Sequence, residues 1–359
     1  MTNAGAVLLP KTVNNLFDNI VSEQNLLAAA LELMHGKRRF KPDVLAIAHD
    51  LLNVVHQLHE RLMTGTWKHL PYNRFVAITD VKRRIVYAPA AIDRVVHHAI
   101  MRIVHPIFIR KFIFNSYAIT PRKGNQRAAR CLQRHLASAR ATGKPVYVLK
   151  GDIHKFYPSM NHYVLLALLS KTIRDKRMLA LWWQCIDSFA MYEPHVGLPV
   201  GSYLSQLSAN VYLNPLDHLV VDQLGMKYSR YMDDFVVVSN DKDKLFETLA
   251  IIDEFLVNTL KLTLNPKTMV IKATKGVDFV GYTVFADHIR PRKRNVKNAR
   301  NRLRALAQKW KNPAVPHELV REQLRQQVAA FAGNLTPCAA YETFDTTHAD
   351  FDRWAGISP

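Results

Sequence analysis

The sequence predicts an α+β protein in which strands pair through hairpins and helices cover one face of the sheet. Long segments carry apolar residues at three- and four-residue spacing, which is typical of amphipathic helices. Between them lie short apolar segments bounded by turn residues, which are typical of strands. Strands joined by hairpins argue against a doubly wound parallel sheet and favour an antiparallel one.

The predicted elements follow one another in mixed order along the chain. They are helices over 14–64 with a basic break at 35–39, a β-hairpin over 75–87, a helix over 91–105, a basic loop and amphipathic helix over 114–137, a strand over 146–149, helices over 162–189 and 205–224, a strand, turn and strand over 228–238, a helix over 242–260, and strands near 268–272 and 279–285. After Arg290 the chain turns strongly basic and helical, which predicts a small C-terminal lobe reaching Pro359.

Length and charge limit the class of protein. A chain of 359 residues exceeds the roughly 250–300 at which single cores stop growing, so two or three lobes are expected. Its 49 Lys and Arg against 29 Asp and Glu give a net charge of +20, which favours nucleic acid over the alternative of an acidic protein partner. No apolar run is long enough to span a membrane and no leader pattern is present, so a cytoplasmic protein is expected. Three isolated cysteines lack zinc-site spacing and are expected to be reduced: Cys131, Cys185 and Cys338.

Three aspartates are the candidate catalytic residues. Asp233 and Asp234 follow Tyr231-Met232 between apolar strand residues, where adjacent aspartates repel each other unless a cation binds. Asp152 ends the strand over 146–149; if that strand pairs with the Tyr231 hairpin, the carboxylates can share two Mg²⁺ ions about 3.5 to 4 Å apart. Such charge neutralisation is what phosphoryl transfer requires. A helix cap at Asp152 and a solvated turn at the pair are the structural alternatives.

Basic segments supply candidate contacts to phosphate groups. Lys82, Arg83 and Arg84 occupy the centre of the first hairpin, where they could clamp triphosphate; a basic edge strand that deters aggregation is the alternative. Lys267 could donate a proton to leaving pyrophosphate, although most lysines in such turns are only solvated. The basic helix over 290–311 could follow a nucleic-acid backbone, or be a solvated face.

The segments, in this order, resemble those of reverse transcriptases over about residues 14–354. The motifs that carry the resemblance are FVAITDVKRRIVYAP from Phe75, FNSYAITPRKGNQRAA from Phe114, GDIHKFYPSM from Gly151, YMDDF from Tyr231, LNPKT from Leu264 and FVGY from Phe279. The resemblance implies a right-hand polymerase with an antiparallel palm sheet. It places N-terminal helices and fingers at 1–145, the palm at 146–286 and a basic helical thumb at 287–359.

The resemblance also implies residue roles. Two Mg²⁺ ions, with Mn²⁺ as a substitute, are assigned to Asp152, Ile153, Asp233 and Asp234. The residues assigned to substrate are Lys82, Arg84, Tyr157 as the ring that rejects a 2′-hydroxyl, Val200, Gly201 and Gln206, with Lys267 assisting pyrophosphate departure. Those assigned to nucleic acid are Arg122, Lys123, Phe279, Gly281 and Tyr282 of a primer grip, Arg292, Lys293, Arg294 and Lys297. The expected partners are template RNA, an RNA/DNA hybrid and dNTPs, with no membrane.

One departure from the common family pattern narrows the expectation. Many reverse transcriptases have Pro-Gln-Gly where this chain has Pro199-Val200-Gly201, and the stretch Gly201–Gln206 resembles the GxxxSQ signature of diversity-generating retroelements. That resemblance implies copying of a template-repeat RNA with errors opposite adenine, together with an accessory variability protein. An apolar Val200 offers less hydrogen bonding to the nascent pair, consistent with looser base selection.

Two alternatives stay open. A bacterial antiviral reverse transcriptase shares the palm and copies a dedicated non-coding RNA. A non-catalytic RNA-binding scaffold is the alternative from another class, against which the three carboxylates, Tyr157 and Lys267 argue.

Overall fold

A computed structural model describes residues 12–79, 82–338, 353 and 355, with backbone only at 37, 38, 78, 79, 82 and 84. The helices are α1 (Phe17–Val21), α2 (Glu23–Leu33), α3 (Pro42–His49), α4 (Leu51–Met63), α5 (Ala91–Ile109), α6 (Asn125–Arg140), α7 (Phe156–Ser159), α8 (His162–Ser170), α9 (Lys176–Asp187), α10 (Tyr203–His218), α11 (Lys242–Asn258), α12 (Lys293–Trp310) and α13 (His317–Leu335). The strands are β1 (Asn73–Thr79), β2 (Lys82–Ala88), β3 (Tyr147–Gly151), β4 (Lys227–Tyr231), β5 (Asp234–Ser239), β6 (Met269–Lys272), β7 (Val277–Phe279), β8 (Tyr282–Val284) and β9 (Ile289–Pro291).

The first of two compact units is mainly helical. It comprises the described parts of Met1–Ile113, Ile153–Leu216 and Asp253–Leu264. Helix α5 packs on α2, where the buried Asn25 amide donates to the carbonyl of Ala99. Strands β1 and β2 form the predicted antiparallel hairpin, in register from Asn73↔Ala88 to Thr79↔Lys82.

The second unit carries the central sheet. It comprises Phe114–Asp152, Asp217–Ile252 and the described parts of Asn265–Pro359. Its four strands lie in the order β4-β5-β3-β6, and every neighbouring pair is antiparallel, which confirms the predicted α+β fold with an antiparallel sheet. Helix α6 covers one face, because Ala128, Leu132 and Leu136 pack in one core with Val148 and Val236. Burying each of these leucine and valine side chains contributes on the order of 1.5–3 kcal/mol.

The strand predicted near 279–285 is instead a hairpin. Phe279 pairs with Tyr282, and the two residues between them, Val280 and Gly281, have φ angles of 45° and 91°. Positive φ at both central positions is the geometry of tight hairpin turns, and glycine adopts it without strain. The apolar positions change parity at this turn, from 277 and 279 to 282 and 284, and Gly281 marks the break that the single predicted strand overlooked.

Strand β9 pairs with β8, so the small sheet β7-β8-β9 runs past the palm boundary predicted at residue 286. The helix predicted over 205–224 is α10 followed by a π-helical segment, Leu219–Gln223. The division into fingers, palm and thumb stays a prediction.

The basic C-terminal segment is helical, as predicted, and forms the two helices α12 and α13. Leu303, Leu306 and Ala307 of α12 share a small core with Val320 of α13. The predicted lobe extends to Pro359, but residues 339–352, 354 and 356–359 lie outside the described residues. All three cysteines are free, as expected. Among the described helices, none combines the length and apolarity that crossing a membrane requires.

Candidate active site

The strand register places two of the predicted aspartates side by side. Strand β3 pairs with β5 as far as Gly151↔Phe235, so the next position along the same register sets Asp152 opposite Asp234. Residues directly opposite each other in an antiparallel pair project from the same face, with Cβ atoms about 4.5–5.5 Å apart. The condition set by the sequence, that the strand before Asp152 pairs with the Tyr231 hairpin, is therefore met. Metal ligation by these residues stays a prediction.

The third aspartate lies on the turn that joins β4 to β5. Tyr231 pairs with Asp234, which leaves Met232 and Asp233 as the two turn residues. Met232 has φ 56°, a left-handed conformation that a non-glycine residue adopts at a cost of about 1–3 kcal/mol. The carbonyl of Met232 accepts a hydrogen bond of 3.0 Å from Nη1 of Arg230. The guanidinium group of Arg230 thus stabilises the strained backbone of this turn.

Arg230 is fully buried and paired with a buried carboxylate. Its Nε and Nη2 each lie 2.6 Å from an oxygen of Asp217, and both side chains are completely inaccessible to solvent. The Tyr228 hydroxyl donates to the same carboxylate at 2.9 Å, and Nη2 of Arg230 also donates to Ser116 Oγ at 3.2 Å. A bidentate pair with these further hydrogen bonds satisfies both buried charges. The pair therefore supports the turn that carries Asp233 from inside the protein.

Gly151 is required where β3 meets β5. A Cβ atom at this position would lie 2.1 Å from the nearest atom of the Phe235 ring, so the ring covers the glycine backbone. Successive residues of a strand face opposite sides, and the Phe235 ring therefore lies on the face away from the Asp234 carboxylate.

The segment around Lys267 is attached to Asp152. Asn265 donates from its backbone amide to the Asp152 carbonyl and from Nδ2 to Asp152 Oδ2, both at 2.8 Å. Thr268 Oγ1 accepts from the Asp152 amide at 3.4 Å. Lys267 is exposed in this turn, and its amide donates to Asn265 Oδ1 at 3.1 Å. The turn thus orients Asp152, while the proton-donor role of Lys267 stays a prediction.

The electrostatics of Asp234 fit a divalent cation. The pKa of this carboxyl is raised to about 7, chiefly by burial and also by the nearby charges of Asp152 and Asp233, while Lys150 and Arg292 lower it. Its Oδ1 is buried and has no hydrogen-bond partner among the described residues. Three carboxylates around an unsatisfied oxygen suit a hard cation such as Mg²⁺, which prefers oxygen ligands. Ile153, the other predicted ligand, has a buried apolar side chain, so only its backbone carbonyl could serve.

Replacing Asp234 with asparagine should stabilise the protein in metal-free buffer at pH 8. The folded-state pKa of about 7 lies above the ordinary value of 3.8, so wild-type stability should fall as pH rises from about 4 to about 7, where the folded state must lose this proton. Asparagine does not ionise, so it removes this loss in the free energy of unfolding, which is on the order of 1–4 kcal/mol. The difference in unfolding free energy between the two proteins should vanish near pH 4. Urea unfolding with EDTA at pH 4, 6 and 8 measures this. Equal free energies of unfolding for the two proteins at pH 8 would contradict the raised pKa of Asp234.

The residues predicted to bind nucleotide lie in the first unit. Tyr157 is half-buried in α7, and its carbonyl accepts a hydrogen bond of 2.8 Å from the amide of Leu198. The turn that follows contains Val200, 37% exposed, and Gly201, whose φ of 108° suits glycine. Gln206 is half-buried in α10. Lys82 and Arg84 are on β2, but their side chains lie outside the described residues. Their binding roles stay predictions.

The predicted nucleic-acid contacts differ in exposure. Arg122 is exposed, whereas Lys123 Nζ lies 4.6 Å above the Phe114 ring, and burial lowers the pKa of this lysine. Arg292 precedes α12, and its amide donates to the Gly281 carbonyl at 3.2 Å. The other predicted residues on α12, all exposed, are Lys293, Arg294 and Lys297.

The predicted primer grip needs one correction. Phe279 is fully buried and Tyr282 nearly so, with its hydroxyl donating to the Asn334 carbonyl at 2.9 Å, and burial raises the pKa of Tyr282 to about 12. Both rings belong to the core under α6, so neither presents its face to nucleic acid. The half-buried turn Val280–Gly281 remains for that contact, which stays a prediction.

An antiparallel sheet that sets Asp152 opposite Asp234, with Asp233 on the adjoining β4–β5 turn, is the arrangement expected of a template-directed nucleic-acid polymerase. Residues 79–284, more than half of the chain, match the family model described as "Reverse transcriptase (RNA-dependent DNA polymerase)". The chain belongs to the reverse transcriptase family and is an RNA-directed DNA polymerase. Members of this family generally use divalent metal ions.

Two curated proteins and one solved structure are similar to this chain at low identity. Protein YkfC of Escherichia coli is 24% identical over 320 residues, which cover 76% of this chain and 83% of YkfC. The group II intron-encoded protein LtrA of Lactococcus lactis is 26% identical over 183 residues, covering 49% of this chain and 29% of LtrA. A solved structure of Candida albicans telomerase with a telomeric RNA fragment aligns with a TM-score of 0.47 at 13% identity, over 80% of this chain and 60% of that one.

Proposed function

We propose that this enzyme copies a dedicated template RNA into cDNA with relaxed base selection, as in diversity-generating retroelements. The observation that carries the proposal is Val200, which stands where many reverse transcriptases have a glutamine. Its side chain is apolar and exposed, directly before a glycine with positive φ. An accessory variability protein is the further partner that this proposal includes.

The proposed chemistry assigns each group a distinct task. Asp152, Asp233 and Asp234 hold Mg²⁺, for which Mn²⁺ can substitute. When bound, the ions activate the primer 3′-hydroxyl and neutralise the triphosphate. Tyr157 blocks a 2′-hydroxyl and so selects deoxynucleotides. Lys267 delivers a proton to the departing pyrophosphate.

Relaxed base selection follows from the absence of hydrogen-bonding groups in the Val200 side chain. A glutamine side chain can donate and accept hydrogen bonds near the nascent pair, whereas valine fills space without directional contacts. Sites that hydrogen-bond a substrate reject mispaired analogues far better than apolar sites of similar shape. The loss of one such hydrogen bond lowers discrimination by about 0.5–1.5 kcal/mol, or about 2- to 10-fold.

Val200→Gln should therefore reduce misincorporation opposite template adenine by about 2- to 10-fold. Sequencing of cDNA made from a defined RNA template measures the error rate at each base. Val257→Gln is the matched control, because Val257 is an exposed valine on α11. An error rate at adenine that stays the same in Val200→Gln, or that falls equally in the control, would contradict the proposal.

An antiviral reverse transcriptase is the second candidate function. Such an enzyme would use the same three carboxylates to copy a structured non-coding RNA. Sequencing of cDNA made in cells, together with the RNA that co-purifies, separates the two. Errors concentrated at template adenines favour diversification, and faithful or repetitive copies made in response to phage favour defence. A non-catalytic scaffold would yield bound RNA without cDNA.

A further inference from the structure

A second cluster of metal-ligand residues lies in the first unit, away in sequence from the three aspartates. Asp187, the last residue of α9, has Oδ1 3.1 Å from Nδ1 of His162 and 2.5 Å from Nδ1 of His195. One ligand atom from each of the three residues lies within 4.8 Å of the other two. The His162 side chain is completely buried, and His195 is 38% exposed.

The hydrogen bonds of His162 fix the tautomer of its neutral ring. Its Nε2 lies 2.8 Å from the carbonyl oxygen of Gly197, which can only accept, so Nε2 must carry the proton. In the neutral ring, Nδ1 then presents a lone pair to the Asp187 carboxylate, and two acceptors face each other at 3.1 Å. A second proton on the ring, a proton on the Asp187 carboxyl, or a metal ion held by the two atoms removes this conflict.

The ligand set suits a transition metal. Two imidazole nitrogens and one carboxylate are a common zinc ligand set, with a fourth position for water. Metal-binding histidines almost always donate their other N–H to a carbonyl or carboxylate, as His162 does to Gly197. Beside the cluster lies a pocket of about 420 Å³, lined by Asp187, His195, Met191 and Glu193 among others, which leaves room for a fourth ligand.

We propose that His162, Asp187 and His195 bind a divalent transition-metal ion of the Zn²⁺ type. This ion is distinct from the catalytic Mg²⁺, because imidazole nitrogen suits Zn²⁺ and Mg²⁺ prefers oxygen.

The proposed ion would stabilise the segment that leads into the turn Pro199-Val200-Gly201, whose role in nucleotide binding is a prediction. The amide of His162 donates to the carbonyl of His195 at 2.9 Å, and the amide of Gly197 donates to the carbonyl of Met160 at 2.8 Å. One residue further, Leu198 donates to the carbonyl of Tyr157, and Pro199-Val200-Gly201 follow directly. His195 itself has φ 62°, a left-handed conformation that the surrounding contacts must hold. The ion would therefore hold α8, α9 and this turn together.

Cobalt(II) binding to the full chain, prepared without a histidine tag and stripped of metal, tests the proposal. The Asp233→Ala/Asp234→Ala protein is the background, so that the catalytic carboxylates contribute little. We expect one equivalent of Co²⁺ with visible absorption typical of nitrogen ligation, displaced by Zn²⁺, and a thermal midpoint raised by Zn²⁺. His195→Ala should weaken Co²⁺ binding by at least about 100-fold, because loss of even an outer partner of a ligand costs about 10–100-fold.

His56→Ala is the matched control. His56 is an exposed histidine paired with the carboxylate of Glu23 at 2.6 Å, and no second imidazole joins them in the described residues. It should leave Co²⁺ binding unchanged. Asp187→Asn, checked for folding by circular dichroism, should weaken binding as His195→Ala does. Binding that is absent, or equal in His195→Ala and His56→Ala, would overturn the proposal, as would an NMR titration showing His162 doubly protonated with saturating Zn²⁺ present.

Discussion

Asp233→Ala combined with Asp234→Ala is expected to reduce cDNA synthesis by at least about 1,000-fold, because the proposed ions at these carboxylates would stabilise the reacting phosphate by several kcal/mol. Asp234 lies opposite Asp152 in the β3–β5 register, and Asp233 lies on the adjoining turn, so the double substitution leaves one carboxylate of three. RNA affinity should change little, because phosphate contacts by Lys and Arg dominate it.

Primer extension on an RNA template measures synthesis, and filter binding at two salt concentrations measures RNA affinity. Asp253→Asn is the control, because Asp253 is an exposed aspartate of α11 outside the catalytic sheet. It should leave both quantities unchanged. Normal synthesis in the double variant would refute the assignment of the catalytic site, and lost RNA binding would show that folding had failed.

The parts of the site that were predictable are those with a local pattern. The apolar strand before Asp152 and the hairpin around Asp233 and Asp234 can each be recognised from a pattern of about ten residues. Their pairing is a long-range contact, which the sequence supported only as a condition for a shared metal site, and the β3–β5 register meets that condition. The ordered resemblance to reverse transcriptases then supported the pairing.

The supporting contacts were not predictable, because their partners are distant in sequence. Arg230 stands in a strand where a charged residue usually indicates an exposed edge, and nothing local shows that Asp217 neutralises it inside the protein. Asn265 looked like an ordinary turn residue, although it binds Asp152. A useful signal existed in the arginine directly before Tyr231: a charge within an otherwise buried strand requires a partner.

Arg230→Met should be among the most destabilising single substitutions in this chain, by about 3–5 kcal/mol, since it leaves the buried Asp217 carboxylate without its partner. Burial of both side chains is complete, so water cannot replace the lost bonds without opening the core. Urea unfolding measures the loss. Arg140→Met is the matched control: its pair with Asp287 is exposed, with 3.7 Å between the charged atoms, and such pairs contribute about 0–1 kcal/mol.

The double substitution Arg230→Met/Asp217→Leu separates stability from positioning. Replacing both buried charges by apolar side chains removes the uncompensated carboxylate, so most of the lost stability should return. Activity should not return with it, because the Met232 carbonyl still lacks the donor that Arg230 Nη1 supplies at 3.0 Å. We expect kcat to fall by about 10-fold or more, since misplacement by about 1 Å can cost 100-fold, while the KM for template-primer changes little. A stable double variant with full kcat would mean that the ion pair stabilises the fold and that the turn keeps its conformation without it.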